Sequence, residues 1–280
     1  METDKTLDEL NDTLSMIQNW KVYRSIINHN ECIFSVNLAI ADIFKDTAFS
    51  SVVQFSLTYD VEDTNSDGLP DIAQADILID KMVKIITQLN ALPDTLYSGH
   101  VIGNGKNEIY FYTNYAKEVI DILNGFDSIT DIKQQQDPQA SIYFDFLLPS
   151  PLELKLNATE EILTILQTNG DDLSERRPVE HIFHFKNEDS LQRFIDNFNT
   201  NFFDFFDLQH GIEEEEPEQE EDNKTAKTPI YVATLTNEMT LDDRDIFHFV
   251  EQFNILADRF DGEYIGWMSK ETKSTQQALH

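Results

Sequence analysis

The chain has 280 residues, with 20 Lys and Arg against 52 Asp and Glu, and a net charge of −32 at pH 7. Hydrophobic residues at 40%, including 20 Phe, exclude wholesale disorder, and the length suits about two domains. Nucleic acids and anionic membranes bind proteins chiefly through cationic side chains, so the charge speaks against both as direct partners and for a positively charged protein.

No run of about 18 apolar residues occurs, so no membrane span is expected. Met1-Glu2-Thr3-Asp4 lacks the basic and apolar regions of a signal peptide. Cys32 is the single cysteine, which rules out intramolecular disulfides and multi-thiolate metal sites and fits a reducing, cytoplasmic setting.

Leu7, Leu10, Leu14 and Ile17 recur at helical spacing and predict a first helix ending near Trp20. Cys32, Phe34, Val36 and Leu38 then share one face of a predicted strand, as do Val53, Phe55, Leu57 and Tyr59. A polar loop over 60–71 leads to a helix with apolar positions Ile72, Ala75, Ile79, Met82, Val83 and Ile86, closed by Pro93. Residues 97–102 and 108–113 read as strands, and Gly103-Asn104-Gly105 between them accepts the positive φ of a hairpin turn. A short helix over 115–123 stops at Asn124-Gly125. Ile142, Phe144 and Phe146 alternate on a predicted closing strand, and Pro149-Ser150-Pro151 marks a boundary, since two prolines oppose both helix and sheet.

The second half opens with a predicted helix over 160–167, ended by Asn169-Gly170. Val179, His181, Phe183 and Phe185 alternate on a strand; Leu191, Phe194, Ile195 and Phe198 mark a helix; residues 202–208 read as a strand. The tract 213–222 is almost wholly acidic and holds Pro217, which predicts a solvated, mobile loop. A strand over 230–235, a helix over 242–258 with Ile246, Phe249, Val250, Phe253 and Ala257 inward, and a strand over 264–268 complete the order. Residues 52–147 and 179–268 therefore repeat strand, helix, strand, strand, helix, strand, the split β-α-β ferredoxin-like arrangement. The expected fold class is α+β, two tandem ferredoxin-like sandwiches, with domains over 1–150 and 151–270 and a disordered tail over 271–280. The repetition is of element order, not of sequence.

Asp63, Asn65, Asp67 and Asp71 are the sharpest chemical pattern. Oxygen ligands at alternate positions before Gly68 match the front of a calcium loop. The twelfth position is Gln74, where a bidentate Glu is needed, and a strand precedes the loop where a helix should. The competing reading is a strand-to-helix turn in which Asp67-Gly68 bends the chain and Asp71 caps the helix. Beyond calcium, no cofactor is expected. His181 and His184, three apart on a strand, point to opposite faces and cannot converge on a metal. Cys32 falls on an apolar face, where a thiol stays protonated. No nucleophile elbow, phosphate-binding glycine loop or His-Glu-Xaa-Xaa-His helix occurs, so no catalytic residues are expected.

Glu213, Glu214, Glu215, Glu216, Glu218, Glu220, Glu221 and Asp222 form either a solubilising loop or an electrostatic hook for an Arg/Lys-rich partner segment. The phenylalanines at 202, 203, 205 and 206, with Asp204 and Asp207 among them, place apolar residues on both faces of their strand.

The second half resembles the regulator of ribonuclease E activity B family. Asn169-Gly170-Asp171-Asp172-Leu173-Ser174, Arg177, His181 and the strand to Phe185, and Phe260-Asp261-Gly262-Glu263-Tyr264-Ile265-Gly266-Trp267 carry the likeness, which covers about residues 155 to 270. The first half resembles an uncharacterised domain family that commonly precedes such a domain. Its marks are the aromatic strand at 20–23, Asp67-Gly68-Leu69-Pro70, Glu108-Ile109-Tyr110-Phe111-Tyr112, Asp137-Pro138 and Tyr143-Phe144-Asp145-Phe146-Leu147. The resemblance implies a small α/β sandwich that binds ribonuclease E and restrains RNA turnover without catalysis of its own. Composition and resemblance together lead to a non-enzymatic regulator that docks on a basic protein segment, plausibly of an RNA-degrading enzyme. A calcium-responsive module, and an enzyme with a site in an inter-domain cleft, are the alternatives. The sequence does not define the oligomeric state.

Overall fold

The computed structural model describes residues 19–61, 68–201, 206–214, 229–242 and 244–272, without the side chains of 46, 199–201 and 214. The expected helix at Leu7 to Ile17, the phenylalanines 202, 203 and 205, and the tail from 273 lie outside the described residues. The chain divides into two compact units, Met1–Glu153 and Leu154–His280.

The first unit runs β1 (Trp20–Ile27), β2 (Asn30–Asn37), α1 (Ile40–Asp46), β3 (Ser51–Thr58), α2 (Ile72–Leu89), β4 (Thr95–Gly103), β5 (Lys106–Thr113), α3 (Ala116–Leu123) and β6 (Ile129–Gln136). A π-helical turn, Tyr143–Leu147, follows. The strands form one antiparallel sheet in the order β1-β2-β4-β5-β3-β6. Its last four members, β4-β5-β3-β6, have the strand order of a ferredoxin-like sheet, and the β1–β2 hairpin extends it at the β4 edge. Asn104 (φ 51°) and Gly105 (φ 75°) make the β4–β5 turn as expected. Both faces are packed. Val53, Phe55, Leu57, Ile109 and Phe111 meet Leu78, Ile85 and Leu89 of α2 and Val119 and Leu123 of α3. On the reverse face Phe34, Val36, Val52, Tyr110 and Tyr112 meet Ile40, Tyr143 and Leu147. Cys32 is buried there, and burial pushes its thiol above the usual range.

Two expectations fail here. The closing strand is β6, not residues 142–146, which wind into the π-helical turn. Tyr143 and Leu147 are buried by that turn while Phe144 and Phe146 stay partly exposed. The face of α2 is also rotated: Leu78, Ile85 and Leu89 are inward, whereas Ile72, Ile79 and Val83 are at least half exposed.

The second unit contains α4 (Pro151–Thr168, its first turn shared with the first unit), β7 (Arg177–Phe185), α5 (Glu188–Asn201), β8 (Asp207–Glu214), β9 (Pro229–Met239), α6 (Asp245–Arg259) and β10 (Gly262–Ser269). The antiparallel order β10-β7-β9-β8 is again ferredoxin-like. Val179, His181, Phe183 and Phe185 are buried on the helix face, with Leu163, Phe194, Ile246, Val250 and Phe253 from the three helices also buried. The helix α4 starts nine residues before the expected one. Pro151 occupies its first turn, where a missing N–H is harmless. Ser150 and Glu153 close a capping box, with Glu153 N–H donating to Ser150 Oγ (3.2 Å) and Ser150 N–H to Glu153 Oε2 (2.8 Å). The boundary prolines thus begin a helix instead of opposing one. Glu213 and Glu214 lie in β8, not in a loop; the rest of the acidic tract, Glu215 to Asp222, lies outside the described residues.

Candidate docking surface

The motif residues of the second unit assemble a frame. Gly170 (φ 80°) ends α4 in a Schellman turn, its N–H donating to Gln167 C=O (3.1 Å) and Asp171 N–H to Leu166 C=O (3.0 Å). That turn aims the Asp171 carboxylate inward at Arg177, the first residue of β7, with Nη1 to Oδ1 at 2.7 Å and both side chains 2% exposed. The remaining hydrogen-bonding capacity is met. Thr272 N–H donates to Asp171 Oδ2 (2.8 Å), and the guanidinium donates to the carbonyls of Asp172, Glu175 (3.2 Å) and Lys270 (3.4 Å). A buried pair supported in this way ties the end of α4, the start of β7 and the chain beyond β10 into one knot.

His181 is fully buried, its Nδ1 2.9 Å from Tyr264 Oη and its ring walled by Phe206, Phe249 and Phe253. Burial lowers its pKa to about 3, so the imidazole is neutral at ordinary pH. Its Nε2 has no hydrogen-bond partner among the described residues. Trp267 Nε1–H donates to Thr159 Oγ1 of α4 (3.0 Å), and Gly266 (φ 148°) sits at the register shift of β10. Gly170, Asp171, Arg177, His181 and Trp267 therefore hold the module together. Asp172 alone turns outward, its carboxyl held below the usual range by the Ser174 hydroxyl and N–H (2.6 and 3.1 Å). It lines a cleft of about 440 Å³ with Glu160, Thr164, Asp242 and Arg244, and Arg244 spans it to Glu160 at 2.6 Å.

Among the described residues the helices of this unit pack on one face of the sheet, and the opposite face meets none of them. Strand alternation and register place Glu180, Ile182 and His184 of β7 there, beside Thr234 and Thr236 of β9, Asp207, Gln209, Gly211 and Glu213 of β8, and Glu263 and Met268 of β10. Among the residues of β7 to β10 the single Lys or Arg is Arg177, and it is buried against Asp171. The exposed charge on this sheet is thus wholly negative. Composition indicated an acidic protein; the strand bounds show that among the described residues these four strands themselves carry no exposed cation.

Of the calcium pattern, Asp63, Asn65 and Asp67 lie outside the described residues. Asp71 is the N-cap of α2, its carboxylate accepting Gln74 N–H at 2.8 Å. Among the described residues no cluster of His, Cys, Asp or Glu has the geometry to hold a metal, and no helix is long and apolar enough to cross a membrane.

Two ferredoxin-like modules, the second framed by a buried Asp–Arg tie and acidic on the sheet face away from its helices, define an α+β protein of tandem sandwich domains. Residues 18–148 match a family of unknown function, DUF695, and residues 156–269 match Regulator of ribonuclease activity B, RraB. The first match falls within the first unit and the second within the second unit. No curated protein matches it.

Proposed function

We propose that the chain restrains RNA turnover by docking its acidic second module on a positively charged segment of an RNA-degrading enzyme of the ribonuclease E kind, without catalysis of its own. The match of residues 156–269 to the RraB family carries this reading. The surface chemistry supports it: opposite charge accelerates encounter with a cationic segment, and the Debye length of about 8 Å at physiological ionic strength makes that attraction salt-sensitive.

The test uses the full chain with purified ribonuclease E from the same cell, reading both association and the rate of RNA cleavage as salt is raised. Inhibition that weakens steadily with salt is expected, and replacing the acids from Glu213 to Asp222 by Ser should lower both the affinity and its salt slope. Absence of association at low salt, or RNA cleavage by the chain itself, overturns the proposal.

A further inference from the structure

Among the described residues the two sheets have four edges, and three carry basic side chains or a register shift. β1 carries Lys21 and Arg24. β6 carries Lys133, and the β3–β6 ladder shifts register between Gln54 and Ser56. β10 shifts register between Tyr264 and Gly266. Charged side chains, lysine above all, and bulges are the usual devices that stop another chain from pairing with an exposed edge. β8 has no lysine, proline or bulge; its charges are the acids Asp207, Glu213 and Glu214, which oppose an anionic or neutral strand but not a cationic one. Its register with β9 runs unbroken from Asp207↔Thr236 to Glu214↔Pro229, and among the described residues no strand pairs with its outer side.

Gly211, in the middle of β8, sharpens the contrast. Its φ lies outside the left-handed region, and a Cβ built on it would meet no atom within 4 Å. Neither backbone conformation nor internal packing therefore calls for glycine, although a glycine inside a strand costs about 0.5–1 kcal/mol relative to alanine. One use for a glycine inside a strand is close approach by another chain. Next to it Ile212 is 64% exposed, and Asp207 and Glu213 stand exposed towards the two ends of the strand.

We infer that the outer edge of β8 accepts an extended, cationic polypeptide segment as a fifth strand of the second module. This rests on the reading above for the identity of the partner and adds the place and mode of docking. Main-chain hydrogen bonds to the edge supply affinity, and alternate side chains supply specificity. On one face of the added strand apolar residues meet Leu208 and Ile212. On the other, Lys or Arg meets Glu213 and the neighbouring carboxylates, while Gly211 leaves room for close contact. A second copy of this chain is the poorer occupant, because pairing β8 with itself would bring together acidic strands of two molecules each carrying −32.

The experiment titrates the full chain with a synthetic peptide of about eight residues alternating Lys and Val, long enough to span the strand, and follows amide hydrogen exchange. Slowed exchange concentrated in residues 207–214 is expected. Gly211→Val, which suits a strand but fills the open space, and Ile212→Lys, which guards the edge, should each weaken binding about tenfold. Circular dichroism and thermal melting of both variants establish that the fold is kept. Unchanged exchange in 207–214 at saturation, or peptide affinity lost only when the acids of 215–222 become Ser, overturns the inference, as does protection of β8 by self-association in sedimentation. Ribonuclease binding that survives both β8 variants sinks strand addition and leaves the functional proposal standing. Protection of β8 by the peptide in a chain that does not bind ribonuclease sinks the functional proposal alone.

Discussion

The two units share one strand order and use it differently. The first extends its sheet with a hairpin and buries both faces, one under α2 and α3 and the other under α1 and the π-helical turn. The second keeps four strands and packs its helices on one face. Each sets a histidine against a tyrosine hydroxyl, the partly buried His100 Nδ1 with Tyr97 Oη at 2.5 Å and the fully buried His181 Nδ1 with Tyr264 Oη at 2.9 Å. The difference shows that the ferredoxin-like core requires one covered face only. What happens to the other face is decided by what is added, and the module whose own helices leave that face uncovered is the one whose exposed strand charge is uniformly negative.

The largest expected effect breaks that comparison directly. Tyr143 is fully buried on the second face of the first sheet, its hydroxyl donating to Asn37 C=O at 2.8 Å and its ring 5.1 Å from those of Phe44 and Phe144. Tyr143→Ala should destabilise the first unit by about 3–5 kcal/mol through the cavity it leaves. Ile182→Ala, on the face of the second sheet away from its helices, should cost about 1 kcal/mol or less. Chemical denaturation of both variants measures this, and comparable losses would mean that the second sheet's outer face is as tightly packed as the first's.

Asp171→Ala comes next. It strands Arg177 in a buried site, and removing one partner of a buried pair costs about 3 kcal/mol or more. The double variant Asp171→Ala, Arg177→Met should recover much of that loss, because it removes the uncompensated charge as well. A double variant no more stable than the single one would show that the carbonyl ties, not the ion pair, hold the knot.

The alternating element order was legible in the sequence, as were the Gly103-Asn104-Gly105 turn and the helix face of α6. β6 was not, for a physical reason. Ile129 and Ile132 both pack inward although they are three residues apart, because Asp131 takes a positive φ (53°) and the ladder to β3 shifts there. A bulged, one-sided edge strand with polar residues elsewhere has no period of two to detect. The opposite error at 142–146 arose because aromatic alternation survives in the sequence even where the backbone winds into a turn. The face of α2 was misread since Ile72, Ile79 and Val83 form a second apolar stripe as regular as the buried one. At the site, resemblance picked out Asp171, Arg177, His181 and Trp267, but an inward side chain was legible only for His181, which alternates with Val179, Phe183 and Phe185. The acidic run around Glu213 concealed a strand, because charge pattern predicts solvation and β8 is solvated while still paired to β9.

The smallest effect concerns pH and sharpens the likeness of the two histidine–tyrosine pairs. His181 has its pKa lowered from 6.5 to about 3 because burial disfavours the imidazolium. The unfolded chain therefore takes up a proton that the folded chain refuses. Stability is fully present above about pH 6.5 and is lost as pH falls from there towards 3, by about 1 kcal/mol at pH 5.5. His100, lowered to about 4 by burial, acts in the same direction in the first unit. Denaturation midpoints measured between pH 7.5 and 5 should fall accordingly, and His181→Phe should flatten the part of the slope that belongs to the second unit. A wild-type midpoint independent of pH over that range would mean that both rings are reached by water, and that the aromatic wall around His181 opens in solution.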